Sequence, residues 1–185
     1  MDPSNSYIRA KAAFEKIIFS SKTPEDPSHA ENTLYWLVAL EPKANDLLKL
    51  SAFAHDIERA TPDRLLREQF SSYEAYKQAH SERGGNIARK IAMDSGFSRE
   101  QANRISYLIS SAEFSSEDDE VQLICDADSI SFFDNNLPYY LDERGVDATK
   151  TKMRFMLERA SPRAQKQIAL VLKNNRKLNL LEINS

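Results

Sequence analysis

Residues 47–59, LLKLSAFAHDIER, form an apolar run at helical spacing that ends in adjacent His55 and Asp56, with Glu58 and Arg59 close behind. A helix this apolar belongs in an interior, where an unpaired imidazole or carboxylate is costly. The fold must therefore bring partners to His55 and Asp56, and both side chains are of metal-ligand type. Ser51 and Ala52, one turn before the pair, are small enough to leave room for a ligand.

At 185 residues the chain suits one well-packed domain, and only 4 glycines favour helices over a turn-rich β architecture. Lys and Arg number 25 against 28 Asp and Glu, a net charge of −3, which gives no electrostatic footprint for a nucleic-acid polymer. The single cysteine, Cys125, excludes an intrachain disulfide and a zinc-finger spacing, and points to a reducing compartment. Arg9, Lys11, Glu15 and Lys16 interrupt the apolar residues near the N-terminus, unlike the core of a signal peptide. No run approaches the ~18 uncharged apolar residues of a membrane span. The expectation is a soluble, cytoplasmic, all-α protein.

Ser4 or Ser6 is placed to cap a first helix whose apolar stripe is Ile8, Ala12, Phe14, Ile17 and Ile18. SSKTPEDPS reads as a loop. Ser28 is placed to cap a second helix with Glu31 as its capping-box partner, which puts His29 in the first turn. Pro42 ends that helix, and Asn45 or Asp46 opens the third. Pro62 then sits just inside a short new helix. From Ser72 a longer helix runs to a stop at Gly96, with Tyr76, Lys77, His80 and Arg83 on one side. Gly84 and Gly85 within it cost about 1 kcal/mol each against alanine, which points to a close backbone approach. Ser98 with Gln101 opens the next helix, and SSEDDE caps the segment VQLICDADSISFF. Pro138, Tyr139 and Tyr140 precede a helix around DATKTKMRFMLERA, Ser161–Pro162 starts a last one, and the tail LNLLEINS is apolar enough to dock on the body.

Asp126 and Asp128 lie about 200° apart around a helix, so they cannot share a face. Asp128 aligns with Ile124, Cys125 and Phe132, where a carboxylate needs a partner, whereas Asp126 neighbours Gln122, Leu123 and Ser129. Asp128 is the better ligand candidate.

His29, the His55–Asp56 pair and Asp128 thus follow one another in the order H…HD…D on successive helices. The ordered set resembles the HD-domain superfamily of metal-dependent phosphohydrolases. The segments YEAYKQAHSERGG, LICDADSISFFDNNLPYYLDERG and KTKMRFMLERASPRA are similar to a small HD-domain family with a recurring DADS…FF…NLPYY pattern, over roughly residues 28 to 164. The resemblance implies one helical bundle over 1–185 with about seven to ten helices, its metal-site core at about 28–134 and C-terminal helices at about 146–175. It implies one divalent ion, Mn, Fe, Co, Ni or Zn, held by His29, His55, Asp56 and Asp128. Asp56 and Glu58 are then the catalytic candidates, Glu58 to orient or deprotonate a water, while Arg59, Lys77, His80 and Arg83 hold phosphate charge. His80 matches a histidine that members of the superfamily place near the metal.

One departure matters. Where related proteins often carry another histidine, this chain reads Ala112–Glu113, which removes a second-metal ligand and argues for a mononuclear centre. The expected reaction is hydrolysis of a small phosphate ester or anhydride, a nucleotide among the candidates, with no nucleic-acid polymer and no membrane involved. A homodimer is a common assembly for such domains. The alternatives are a non-catalytic metal- or nucleotide-binding sensor and, more plainly, a helical interaction protein without metal.

Overall fold

Helix α3 (Asp46–Ala54) lies at the centre, and Leu48, Leu50, Ser51, Ala52, Phe53 and Ala54 on it are all buried. The computed structural model describes residues 3–174, and every regular element among them is helical. In chain order the other helices are α1 (Pro3–Ile18), α2 (Asp26–Leu40), α4 (Tyr73–Asp94), α5 (Arg99–Ser111), α6 (Asp119–Ser131), α7 (Leu137–Arg159) and α8 (Pro162–Asn174). Short 3-10 turns cover Ile57–Ala60 and Arg67–Gln69, and a π-helical turn, Phe132–Asn136, joins α6 to α7. The all-α bundle expected from the sequence is the observed architecture. None of the described helices is long and apolar enough to cross a membrane.

Because α3 is apolar on more than one side, it separates two cores. Leu48 and Ala52 pack with Leu37, Ile124, Phe133 and Met153 on one side. Leu50, Phe53 and Ala54 pack with Phe14, Ile105 and Ile109 on the other. Helix α2 lies against both α3 and α6, while α5 bridges α3 and α4. This arrangement brings the ends of α2 and α3 and the middle of α6 to one place.

The helix ends follow local chemistry. Asn45 Oδ1 accepts the Leu48 N–H at 2.9 Å, and Ser72 Oγ accepts that of Ala75 at 3.0 Å. Ser98 and Gln101 form a reciprocal capping box, and Asp118 caps α6. Helix α4 stops before Gly96, whose φ of 97° only glycine adopts without strain. A Cβ on Gly85 would lie 2.6 Å from the Ser106 carbonyl oxygen, so α4 and α5 meet backbone to backbone.

Several boundaries differ from the sequence reading. Helix α1 already runs through Ser6, which is buried, and Ile8 faces solvent at 64% exposure while Ala10, Phe14 and Ile18 fill the core. Helix α2 begins at Asp26, since Pro27 suits a first turn, and Ser28 Oγ donates to Glu25 O instead of capping. LLKLSAFAHDIER is not one helix: α3 ends at Ala54, and a 3-10 turn follows His55 and Asp56. Pro62 lies in a turn rather than a helix. Tyr139 and Tyr140 fall inside α7, which is broken at Gly145 (φ 75°). The tail LNLLEINS lies outside the described residues.

Candidate metal centre

His29 comes from the first turn of α2, His55 and Asp56 from the turn after α3, and Asp128 from α6. His29 Nε2 lies 3.0 Å from Asp128 Oδ1, and His55 Nε2 lies 3.4 Å from the same oxygen. His55 Nε2 is also 3.8 Å from Asp56 Oδ2. Of the four side chains singled out in the sequence, His29, His55 and Asp128 converge with ligand-type atoms within 4.8 Å of one another, and Asp56 stands beside them, in reach of His55 alone.

Both imidazoles are oriented from behind. His55 Nδ1 is 2.9 Å from the Ala52 carbonyl, which can only accept, so Nδ1 carries the proton and Nε2 faces the centre. His29 Nδ1 is 3.0 Å from Ser131 Oγ, and that hydroxyl donates to the His29 carbonyl, so Nδ1 again donates. His55 Nε2 is buried and has no hydrogen-bond partner among the described residues. An orphaned buried nitrogen aimed at two carboxylates fits a metal ion. Without one, burial lowers the His55 pKa, but Asp128 and Asp56 outweigh it and push it up to about 9. Burial raises the Asp128 carboxyl, yet Arg159 and His55 hold it well below the usual range. For Asp56, Arg59 and His55 overcome burial in the same way.

A second group adjoins the first. Ligand-type atoms of Asp56, His80 and Glu113 lie within 4.8 Å of one another, as do those of His29, His55 and Asp128. His80 Nε2 is 3.1 Å from Asp56 Oδ1, and its Nδ1 is 2.8 Å from Glu58 Oε2. Glu113, read in the sequence as a lost ligand, is thus a carboxylate in contact distance of this group, and its partner is the Lys77 ammonium.

The remaining candidates divide. Glu58 is fully buried, with Oε1 accepting from Leu65 N (2.7 Å) and Arg83 Nη1 (3.2 Å) and Oε2 facing His80. It positions His80 rather than facing solvent. Arg83 also binds the Asp63 carbonyl at 2.7 Å and does not line the cavity. Arg59 does line it, but its guanidinium spans Asp56 (2.8 Å) and Asp26 (2.7 Å). Asp126 is buried away from the centre, accepting from Ser161 N and Gln122 Nε2 at 2.8 Å each.

Two cations escaped the sequence reading. Arg159, at the end of α7, binds Asp128 Oδ2 and the carbonyls of Ala112 (3.2 Å) and Glu113 (3.1 Å). Lys152, about two turns before Arg159 on α7, has no ion-pair partner among the described residues and sits 5.8 Å from the Phe132 ring and 5.2 Å from that of Phe155. Burial, together with Lys77 and Arg159, pulls its pKa down to about 7. The KTKMRFMLERA pattern places both residues on a helix, but nothing local says which faces α6.

The centre opens into a cavity of about 640 Å³. Its inner wall holds His29, Asp56, His80, Glu113 and Asp128 with Lys77 and Lys152; Tyr73, Tyr76, Tyr139 and Tyr140 line it further out. Arg64, Arg67 and Arg144 stand among its outer residues.

Fold and site together define an all-helical protein with two adjoining groups of residues able to hold a metal ion. The chain belongs to a family described as a domain of unknown function, DUF4202, whose model matches residues 9–181. No curated protein and no solved structure matches it.

Proposed function

We propose that this protein is a metal-dependent phosphohydrolase that binds one divalent ion through His29, His55, Asp56 and Asp128. The observation that carries the reading is His55 Nε2: buried, unpartnered, fixed in its tautomer, and 3.4 Å from Asp128 Oδ1. The ordered resemblance to HD-domain phosphohydrolases supports it. Two imidazoles and two carboxylates suit Mn, Fe, Co, Ni or Zn. Such an ion supplies Lewis acidity and an acidified water at neutral pH.

The chain's own residues do the rest. Arg159 holds Asp128 Oδ2, which leaves Oδ1 to the two imidazoles, and Arg59 holds Asp56 Oδ2, the oxygen nearer His55, which fixes that carboxylate between His55 and His80. Lys152 is the inner cation without a carboxylate partner, and it takes the phosphate charge that Arg59 and Arg83, already paired, leave unmet. Burial lowers the His80 pKa, but its bonds to Asp56 and Glu58 push it up to about 9, so it has a proton to give. Water adds to phosphorus, the P–O bond to the leaving group breaks, that oxygen takes the His80 proton, and the proton lost by water recharges the imidazole. The aromatic outer wall suits a nucleoside as the remainder of the substrate.

A non-catalytic sensor of metal or nucleotide is the second reading. What favours it is Glu58, the expected base, with both oxygens already taken. A panel of phosphorylated metabolites with Mn, Co or Ni, read by phosphate release, separates the two. Turnover lost in Asp56→Ala supports the enzyme; saturable binding without turnover supports the sensor. Less than about a tenth of an ion per chain after metal addition sinks the metal site itself.

A further inference from the structure

We infer that the Lys77 ammonium holds the place of a second divalent ion beside Asp56, His80 and Glu113, so that the centre works with one metal and one built-in organic cation. The inference rests on the metal reading above.

Three ligand-type side chains stand together there, with donor atoms within 4.8 Å, and Asp56 also reaches His55 of the first group through Oδ2 at 3.8 Å. By residue type alone they could take an ion as readily as His29, His55 and Asp128 do. The two groups differ in what already fills them. At the first, His55 Nε2 is left without a partner. At the second, a cation is already in place: the Lys77 ammonium lies against Glu113 Oε2 as an ion pair, though outside hydrogen-bond geometry, while Asp56 Oδ1 meets His80 Nε2 and His80 Nδ1 meets Glu58.

Lys77 is also built into its position. Its side chain and that of Glu113 are each only 12% exposed. The ammonium lies 5.8 Å from the Tyr73 ring and 5.7 Å from the Phe155 ring, both favourable faces for a cation. Glu113 holds its pKa below the ordinary value despite burial, with Lys77 and Arg159 as the charges responsible. A divalent ion on Glu113 would have to displace this ammonium or sit beside it, and like charges at such range repel. Lys77 lines the cavity as well, so the same charge faces the substrate that a second ion would face. Glu113 therefore anchors a lysine rather than a metal.

Manganese counted per chain on the full-length protein, after chelator treatment and titration, tests this. Wild type takes one ion, Lys77→Met takes two, and Lys77→Arg, which keeps the cation, takes one. Electron paramagnetic resonance then shows isolated manganese in the wild type and an exchange-coupled pair in Lys77→Met. One ion in both wild type and Lys77→Met overturns the inference while leaving the metal reading intact. Two ions in the wild type overturn it as well. No ion on the wild type removes the metal reading itself. Should Lys77→Met not fold, Lys77→Gln takes its place with the same reading: two ions uphold the inference, and one ion overturns it.

Discussion

Arg159 grips Asp128 by Oδ2, leaving Oδ1 of the same carboxylate to face His29 at 3.0 Å and His55 at 3.4 Å. One carboxylate is thereby divided between an ion pair and two imidazoles. Arg159 is 5% exposed, so replacing it leaves Asp128 Oδ2 and the Glu113 carbonyl without their donor, while Ala112 O keeps the Cys125 thiol. Arg159→Met should cost about 3–5 kcal/mol in urea denaturation, as breaking a buried pair does. A loss under about 1 kcal/mol would mean that water takes over the guanidinium's contacts.

Asp126 and Asp128 should separate cleanly by readout. Asp126 accepts from Ser161 and Gln122, so Asp126→Ala should lower stability by about 1–3 kcal/mol and leave metal content unchanged. Asp128→Ala should abolish metal binding. Equal metal loss in the two variants would refute the assignment of the ligand by helical face.

Lys152 gives the pH dependence its sign. Its pKa falls from 10.5 to about 7 on folding, so the folded chain binds the proton more weakly than the unfolded one. The resulting penalty is full below about 7 and fades as pH rises toward 10.5, so stability climbs across that window. Lys152→Met should stabilise the metal-free protein below pH 7 and lose that advantage near pH 10, in thermal melts across pH. The same variant should weaken binding of inorganic phosphate to the metal-loaded protein. A gain independent of pH would assign the effect to packing instead.

Gly84 and Gly85 are neighbours with opposite expectations. At Gly85 a methyl meets the Ser106 carbonyl at 2.6 Å, and Gly85→Ala should destabilise by about 1–3 kcal/mol as α4 and α5 are pushed apart. At Gly84 the nearest atom is 3.5 Å away, an ordinary contact, so Gly84→Ala should be neutral or gain up to about 1 kcal/mol of helix propensity. Chemical denaturation of both variants checks the contrast.

What was legible in the sequence was what short-range chemistry controls. Asn45, Ser72 and Ser98 cap the helices they open, because a side-chain oxygen two or three residues from a free N–H needs no tertiary help. The preference for Asp128 over Asp126 followed from helical phase, which is also local. The partners of these residues were not legible. Arg159 reaches Asp128 across 31 positions and Lys77 reaches Glu113 from another helix, and no periodicity encodes which helices meet. Glu113 was read by what it replaced instead of by what a carboxylate does. Ser28 failed as a cap for a nearer reason: Pro27 sits well in a first turn, so α2 starts earlier.

Gly145 carries a consequence for the cavity as a whole. Tyr139, Tyr140, Glu143 and Arg144 line it from before the break in α7, and Lys152 and Met156 line it from after. A Cβ on Gly145 would meet nothing within 4 Å, so no packing demands glycine there; its φ of 75° does. The direction in which the Tyr139–Arg144 stretch of the wall leaves the Lys152–Met156 stretch therefore turns on one torsion, at a residue whose carbonyl Thr149 Oγ1 holds at 2.6 Å.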